Sequence, residues 1–417
     1  MSKGITTQIL HADRQQKVEH NAIHKPIHVA AQYSFADVRD LIAVFGSTPG
    51  YAYSRQGTPT VSALEQKVTL IEEGHSSVCF ASGMAAISAV FLTLLKAGDH
   101  LVSSHYIFGN TKSLLNTLEN LGIEVTMVDT RDIDAVKAAI RPNTRMLFTE
   151  TIANPVTQVS DLKAMGDLCE SLGLLYFVDM TMVTPYLLKG KEVKASLVMH
   201  SLSKSLCGHA NALGGSITDT GLYDWTRYPN IMEMYKSYPV KNLGIVQIKK
   251  KGLRDMGATL SSEAANRIAI GMETFSLRAK QANDNALALA RYMQDSPIFA
   301  EVKYPGLENH EQHSLAKALF AGKGYGSLIA ASLREDIDLF AFLNSLETII
   351  LATHLGDNRT LCLPVAPTIY AEATAEQRAL MGISDNLLRI SVGIENVEDL
   401  IADIEQAYAK VMSAKNA

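Results

Sequence analysis

Between about residue 56 and residue 201, short apolar runs alternate with longer amphipathic stretches. Ser77–Phe80, His100–Ser103, Glu124–Val128, Met146–Glu150, Leu175–Asp179 and Leu197–Ser201 read as strands. Thr60–Glu73, Ser82–Lys96, Lys112–Leu121, Asp132–Ile140 and Asp161–Leu172 read as helices. Strands that recur with a helix between them join as parallel neighbours, because a parallel pair needs a crossover where an antiparallel pair needs only a turn. The pattern therefore restricts this part of the chain to a mostly parallel wound sheet with helices on both faces, an α/β fold. Such sheets bind ligands outside the carboxyl ends of their strands. The loops at those ends hold Ser82-Gly83-Met84, Tyr106-Ile107-Phe108-Gly109, Glu150 to Pro155, Asp179-Met180-Thr181 and Ser201-Leu202-Ser203-Lys204.

The flanks read differently. Residues 1–55 are polar and without period, with scattered His, Pro and Tyr, and suggest an arm that packs on something else, such as a second subunit. After about 255 the alternation stops. Ser262–Gln294 reads as one long helical stretch, Val302, Leu328–Leu333 and Leu387–Val392 as strands, and Glu398–Lys415 as a terminal helix. The expected organisation is an arm (1–55), a ligand-binding α/β domain (56–255) and a smaller C-terminal α+β domain (256–417).

Bulk properties exclude several function classes. The chain has 417 residues and a net charge of −5, with Lys249-Lys250-Lys251 as its densest basic run. That run suits a solvated face better than nucleic acid, so the expected partner is a small molecule. Cys79, Cys169, Cys207 and Cys362 lie far apart with no C-x-x-C, which points away from zinc or a redox pair and towards a reduced, cytoplasmic protein. The first residues lack an apolar core of signal-peptide length. Met84–Leu95 is the most apolar stretch and falls short of the roughly 20 residues a bilayer span needs. No G-x-G-x-x-G follows the first strand and no P-loop or G-x-S-x-G is present. Gly322 to Gly326 reads as a turn, and His310-Glu311-Gln312-His313 as surface rather than a metal box. No metal is expected.

Lys204 carries the chemistry. Lysine seldom follows an apolar strand unless it is paired or does covalent work. A solvated lysine in a serine-rich loop would explain Ser201-x-Ser203-Lys204 by itself; Asp179 at the end of the neighbouring strand changes the reading. Desolvation lowers a lysine pKa and lets the amine form a Schiff base with an aldehyde. Ser201 and Ser203 can hydrogen-bond a phosphate, and the helix opened by Ser82-Gly83-Met84 offers free N–H groups to the same anion. Asp179 can hold a protonated pyridine nitrogen. An aldehyde, a phosphate and a pyridine on one molecule is pyridoxal 5′-phosphate (PLP).

The motifs then fall into one pattern. They are Tyr53-Ser54-Arg55-x-Gly57-x-Pro59-Thr60, Ala81-Ser82-Gly83-Met84-Ala85-Ala86, Glu150-x-x-Ala153-Asn154-Pro155, Val178-Asp179-x-Thr181 and His200-Ser201-x-Ser203-Lys204. Gly252 to Ala258, Leu355-Gly356-Asp357 and Arg389-x-Ser391-Val392-Gly393-x-Glu395 complete it. Over nearly its whole length the sequence resembles the Cys/Met-metabolism family of PLP-dependent enzymes, of the type I, aspartate-aminotransferase-like fold. The resemblance implies that Lys204 bears the cofactor and shuttles protons between Cα and Cγ. It implies that Asp179 binds the ring nitrogen, with Thr181 beside it, and that Ser82, Gly83, Met84, Ser201 and Ser203 surround the phosphate. Tyr53 and Arg55 match residues supplied to a neighbouring subunit's phosphate. Phe108 takes the place of the stacking aromatic, Asn154 lies near the ring's 3′ oxygen, and Arg389 clamps the substrate α-carboxylate. Homotetramers built from dimers with composite sites are implied as well.

Departures from the pattern bear on the reaction. Many members, lyases above all, have Tyr where this chain has Phe108, which keeps the stacking and loses the phenolic proton. Tyr106 is a candidate to restore that proton as a catalytic acid, or it packs under the loop. A thiolate leaving group gains from an acid, its thiol having a pKa near about 8.5, whereas a carboxylate with a pKa near about 4 does not. The expected reaction is γ-replacement on an O-acetyl- or O-succinyl-homoserine, with sulfide or a thiol as nucleophile. The alternatives are γ-elimination from cystathionine or methionine and a silent binding protein on the same fold. His354 stands where relatives usually have Ser or Asn and either contacts substrate or fills space. Leu363 to Pro367 replaces a His-Pro-Ala-Ser run.

Overall fold

The computed structural model describes residues 3–14, 18–46 and 48–416, the side chains of residues 380 and 416 excepted. Seven strands form the larger sheet: β1 (Ser76–Phe80), β2 (His100–Ser104), β3 (Glu124–Val128), β4 (Thr144–Glu150), β5 (Leu175–Asp179), β6 (Leu197–His200) and β7 (Gly215–Asp219). Their order across the sheet is β1-β7-β6-β5-β4-β2-β3. The five from β6 to β3 are parallel, and β7 runs antiparallel between β6 and β1. All strands but β7 therefore point their carboxyl ends to one edge, as the alternation in the sequence predicts. β7 is the strand the sequence reading missed. Gly214 and Gly215 open it, and a Cβ on Gly215 would lie 2.2 Å from the Ser82 carbonyl oxygen. Only glycine lets the start of β7 approach the turn after β1 that closely.

The crossover helices begin where capping chemistry puts them. Thr58 caps Pro59–Ile71, Ser82 caps Gly83–Leu94 and Asp161 caps Leu162–Leu172, each side chain accepting an N–H from the first turn. Gly173 ends the last of these in the left-handed conformation at φ 68°. The core between Gly83–Leu94 and the sheet contains Phe91, Phe148 and Phe177, with ring centroids 5.1–5.7 Å apart. Beyond β7, Leu243–Gln247 continues into a π-helix, Ile248–Asp255. The three lysines expected there as a solvated face are engaged: Lys249 pairs with Glu65, Lys251 with Asp255, and Lys250 lies over the Tyr238 ring.

The smaller sheet has β8 (Phe299–Lys303), β9 (Leu328–Leu333), β10 (Ile350–Leu351), β11 (Leu361–Pro364) and β12 (Leu387–Ser391), in the order β10-β11-β12-β9-β8. It is antiparallel apart from the β10–β11 pair. The sequence reading located β8, β9 and β12 and missed β10 and β11, which are short and lack an alternating pattern. The expected single helix over 262–294 is two, Ser262–Glu273 and Phe275–Asp295, broken at Thr274.

The first 55 residues are not irregular throughout. Ile5–His11 is a helix whose Ile9 is fully buried against Val61, Leu64, Ile268 and Phe275 of the same chain. Val38–Phe45 is a second, amphipathic helix with no buried residue, and Val38, Ile42 and Phe45 are exposed. The four cysteines are free and buried. Among the described residues no helix is long and apolar enough to cross a membrane.

Candidate active site

A cavity of about 430 Å³ opens at the carboxyl edge of the large sheet, with β12 of the small sheet across it. It is lined by Ser82, Gly83, Met84, Phe108, Asn154, Asp179, Thr181, Ser201, Ser203, Lys204, His354 and Arg389. The loops after β1, β2, β4, β5 and β6 each contribute, which is what a parallel sheet does with its strand ends.

On one side lies an anion cradle. Gly83 and Met84 open a helix of 12 residues, so their N–H groups lack helical acceptors. A Cβ on Gly83 would lie 2.7 Å from Met199 Cε and 3.1 Å from Ser201 Cβ, so any side chain there would fill the space. Ser82 itself is the N-cap, its Oγ accepting from Ala85 N–H at 3.1 Å. Ser203 Oγ is engaged with Gly214, accepting its N–H at 2.9 Å and donating to its carbonyl at 3.2 Å.

At the floor stand two carboxylates. Asp179 ends β5 and accepts the Thr181 N–H at 2.9 Å, while Thr181 Oγ1 accepts the Ser201 N–H at 2.8 Å. Glu150 ends β4 beside it and accepts the Phe108 N–H at 2.6 Å. Burial, and then the charge of Asp179, hold Glu150 well above the ordinary carboxylate range. Burial also raises Asp179, against its bonds from Thr181. A carboxylate disfavoured in this way is stabilised by any cation brought beside it, a pyridinium included.

Lys204 Nζ is pushed down to about 8, first by burial and then by the Arg389 guanidinium. At neutral pH a usable fraction of the amine is therefore uncharged and nucleophilic. Arg389 is 3% exposed on β12, where it is pinned by Ala330 and Leu363 as its register partners. Its Nη2 donates to the Thr353 and His354 carbonyls at 2.8 and 3.0 Å, and Nη1 points at Asn154 Oδ1 at 3.4 Å. Nε is buried without a partner. Burial brings Arg389 down to about 10, which leaves it fully cationic at neutral pH. A buried guanidinium with an unsatisfied N–H is suited to receive a carboxylate.

Three expected site residues lie elsewhere. Tyr106 does not reach the cavity: its hydroxyl accepts a bond from Arg131 Nη2 at 2.9 Å, and the guanidinium covers its ring. It lines a separate polar cleft with Arg131, Gln158 and Lys303. Two residues along, Phe108 does face the cavity, because the loop turns between them. Tyr53 and Arg55 also stand away from this chain's cavity; Arg55 Nη1 donates to the Arg254 carbonyl at 2.6 Å and its guanidinium lies over the Tyr53 ring. The His310–His313 pair, expected on the surface, is half-buried: His313 stacks on Tyr325 and its Nδ1 lies 2.9 Å from the Pro305 carbonyl oxygen.

Sequence reasoning also missed lining residues. Glu150 was noticed in a motif without a role. Tyr370, from the segment after β11, places a phenol in the cavity that burial and nearby Glu150 keep protonated. Thr353, Ile369 and Leu213 complete the walls. No local pattern marks Thr353, Ile369 and Tyr370, since they arrive by packing of the second sheet against the first; Leu213 comes from the turn before β7.

An amine of lowered pKa, an anion cradle beside it and a carboxylate below it fit an aldehyde, a phosphate and a ring nitrogen on one small molecule. Comparison with known proteins agrees with that fit. The model of the Cys/Met metabolism PLP-dependent enzyme family matches residues 6–409. An L-methionine gamma-lyase of Fusobacterium nucleatum subsp. polymorphum is 36% identical over 98% of this chain and 98% of its own length. A homocysteine synthase of Schizosaccharomyces pombe is 32% identical, over 97% and 98% of the two chains. Among solved structures, a putative O-acetylhomoserine (thiol)-lyase from Campylobacter jejuni, which contains N′-pyridoxyl-lysine-5′-monophosphate, superposes with a TM-score of 0.91. It is 28% identical, over 98% of this chain and all of that one (100%). A cystathionine gamma-lyase from Lactobacillus plantarum superposes with a TM-score of 0.86 at 29% identity, over 98% and 100%. The chain belongs to the Cys/Met metabolism PLP-dependent enzyme family, of the type I fold, and its cofactor is pyridoxal 5′-phosphate.

Proposed function

We propose that this enzyme catalyses γ-replacement on an O-acyl-L-homoserine, acetyl or succinyl, joining its Cγ to sulfide or a thiol. When bound, the cofactor supplies an electron sink for charge developing at the substrate's Cα. Lys204 would carry the cofactor, and its amine would move protons at the substrate's Cα and Cγ. Asp179 pairs with the ring nitrogen, with Glu150 protonated beside it and Thr181 orienting it. Gly83, Met84 and Ser201 bind the phosphate, with Ser82 and Ser203 shaping the cradle. Phe108 stacks on the ring. Arg389 takes the α-carboxylate through Nε–H, which has no partner among the described residues, and Asn154 stands beside both.

The observation that carries the choice of reaction is the split between Phe108 and Tyr106. Phe108 lines the cavity without a proton to give, and the Tyr106 hydroxyl is tied to Arg131 outside it. An ester's carboxylate departs without an acid, whereas a thiolate is helped by one. Tyr370 favours a second reading, γ-elimination from cystathionine or methionine, because it supplies a protonated phenol from the other side. The similar L-methionine gamma-lyase points the same way. O-acetyl- and O-succinyl-homoserine with sulfide, set against methionine and cystathionine, separate the two readings. Fast 2-oxobutyrate release from the thioethers without turnover of the esters rejects the first. Under the second reading, Tyr370→Phe abolishes thioether turnover and spares the esters.

Tyr53 and Arg55 are proposed to serve a neighbouring copy. They lie off their own chain's cavity, and the exposed apolar face of Val38–Phe45 belongs to the same segment. A homotetramer of two such pairs in the cytoplasm is the corresponding assembly and location. Domain limits near 55 and 255 are proposed with it.

A further inference from the structure

His354 meets the Lys204 amine. Its Nδ1 lies 3.2 Å from Nζ, across the gap between the two sheets and 150 positions along the chain. The other ring nitrogen, Nε2, is buried without a hydrogen bond of ordinary geometry, and the Ser203 backbone favours a proton on the ring. With its pKa at about 8, Lys204 is mostly an ammonium at neutral pH and presents only donors, so the Nδ1 facing it at 3.2 Å accepts and the imidazole there is neutral. The surroundings lower its pKa: burial and then Lys204 oppose its protonation, Asp357 favours it less strongly, and Arg389 opposes it more weakly still. The backbone of the same segment is tied down separately, since the Thr353 and His354 carbonyls hold Arg389 Nη2.

We propose that His354 is a positioning residue for Lys204, its Nδ1 accepting one N–H of the amine so that the lone pair is aimed into the cavity. An uncharged lysine amine has two N–H bonds and one lone pair on a freely rotating terminus. Fixing one N–H removes that rotation and leaves the lone pair directed at the reacting atoms. The imidazole carries no charge of its own, so it orients the amine without adding a second cation beside Arg389. No proton changes hands in this role. The role rests on Lys204 being the cofactor lysine and not on which γ-substituent leaves; borohydride labelling of Lys204 tests that premise independently.

Asparagine and leucine are nearly isosteric, and asparagine places an acceptor close to the Nδ1 position. The test therefore compares His354→Asn and His354→Leu with the unaltered enzyme, reading the pH midpoint of Lys204 acylation in the cofactor-free protein and kcat and KM in the cofactor-loaded enzyme. An acceptor stabilises the proton on the nitrogen facing it, so its loss lowers the midpoint. His354→Leu is expected to lower it by about half a unit or more, with kcat down about tenfold and KM within about threefold, as for loss of an oriented proton carrier. His354→Asn is expected to titrate like the unaltered enzyme. Equal midpoints in all three proteins overturn the proposal, as does a His354→Asn protein that behaves like His354→Leu. Should His354→Leu fail to hold cofactor, His354→Ala replaces it: its midpoint must fall, and added imidazole must raise it again, or the proposal is wrong.

Discussion

Glu150 and Asp179 are register partners at the ends of β4 and β5, two carboxyl groups side by side on neighbouring parallel strands. Like charges so placed do not both ionise, and Glu150, 5% exposed, is the one driven furthest from its ordinary value. The sign of its effect on stability follows. A carboxyl whose pKa is raised in the folded state stabilises the fold fully below its unfolded value, here near 4.5, and loses that contribution as pH rises through the folded value. In cofactor-free protein, stability relative to Glu150→Gln should therefore fall by about 1.4 kcal/mol per pH unit above 4.5, until Glu150 ionises. Paired urea melts from pH 4 to 8 measure this; a flat difference contradicts a protonated Glu150.

Lys204 is lowered to about 8 by burial first and Arg389 second. Limited acylation of the cofactor-free protein, followed by peptide mass spectrometry, should put the reactive amine's midpoint near that value. Arg389→Gln should raise the midpoint while leaving it below the ordinary 10.5, because burial persists. A midpoint unmoved by Arg389→Gln would remove the guanidinium from the explanation.

Gly83 has no φ that demands glycine; what requires it is space. Gly83→Ala brings a methyl 2.7 Å from Met199 Cε, at the mouth of the anion cradle. Met199 is flexible enough to move, so the fold should survive. Cofactor affinity should fall by roughly ten- to a hundredfold, the equivalent of about 1–3 kcal/mol for displaced hydrogen bonds to an anion. Equilibrium dialysis reads the affinity, and circular dichroism reads the fold. Undiminished affinity would place the phosphate elsewhere.

Arg389→Lys keeps the charge and loses the planar fork. Because the guanidinium is buried and shared among three oxygens, the loss should cost about 2–5 kcal/mol in kcat/KM, mostly through KM. The absorption of the bound cofactor should stay as it is. A variant with unaltered KM would show that another group receives the carboxylate.

Some of the site was legible before any folding was considered. Asp179 ends an apolar strand, and Ser82-Gly83-Met84 and Lys204 follow within four residues of one; strand ends of a parallel sheet converge. Tyr106 shows the limit: it lies as near to Phe108 in sequence as two residues allow, yet the loop sends one ring to the cavity and the other to Arg131. Tyr370 and His354 show the converse. Both come from the second sheet, and nothing in their local sequence places them against the ends of the first. The antiparallel β7 is not legible locally because its cause is not local: it pairs β1 with β6 across the sheet, and local pattern does not record that.

By itself the sequence determined the strand–helix alternation and hence a wound parallel sheet, because hydrophobic period and capping residues act over a few positions. With it came the edge on which polar residues gather. Tertiary structure alone decided how β12 faces that edge, and so which groups meet there: the Lys204–His354 contact, the shift of Lys204 by Arg389, and the exclusion of Tyr106. Those are distance and burial effects between residues far apart in the chain. Only packing sets such distances, and charge interactions in a poorly solvated cavity depend on them steeply.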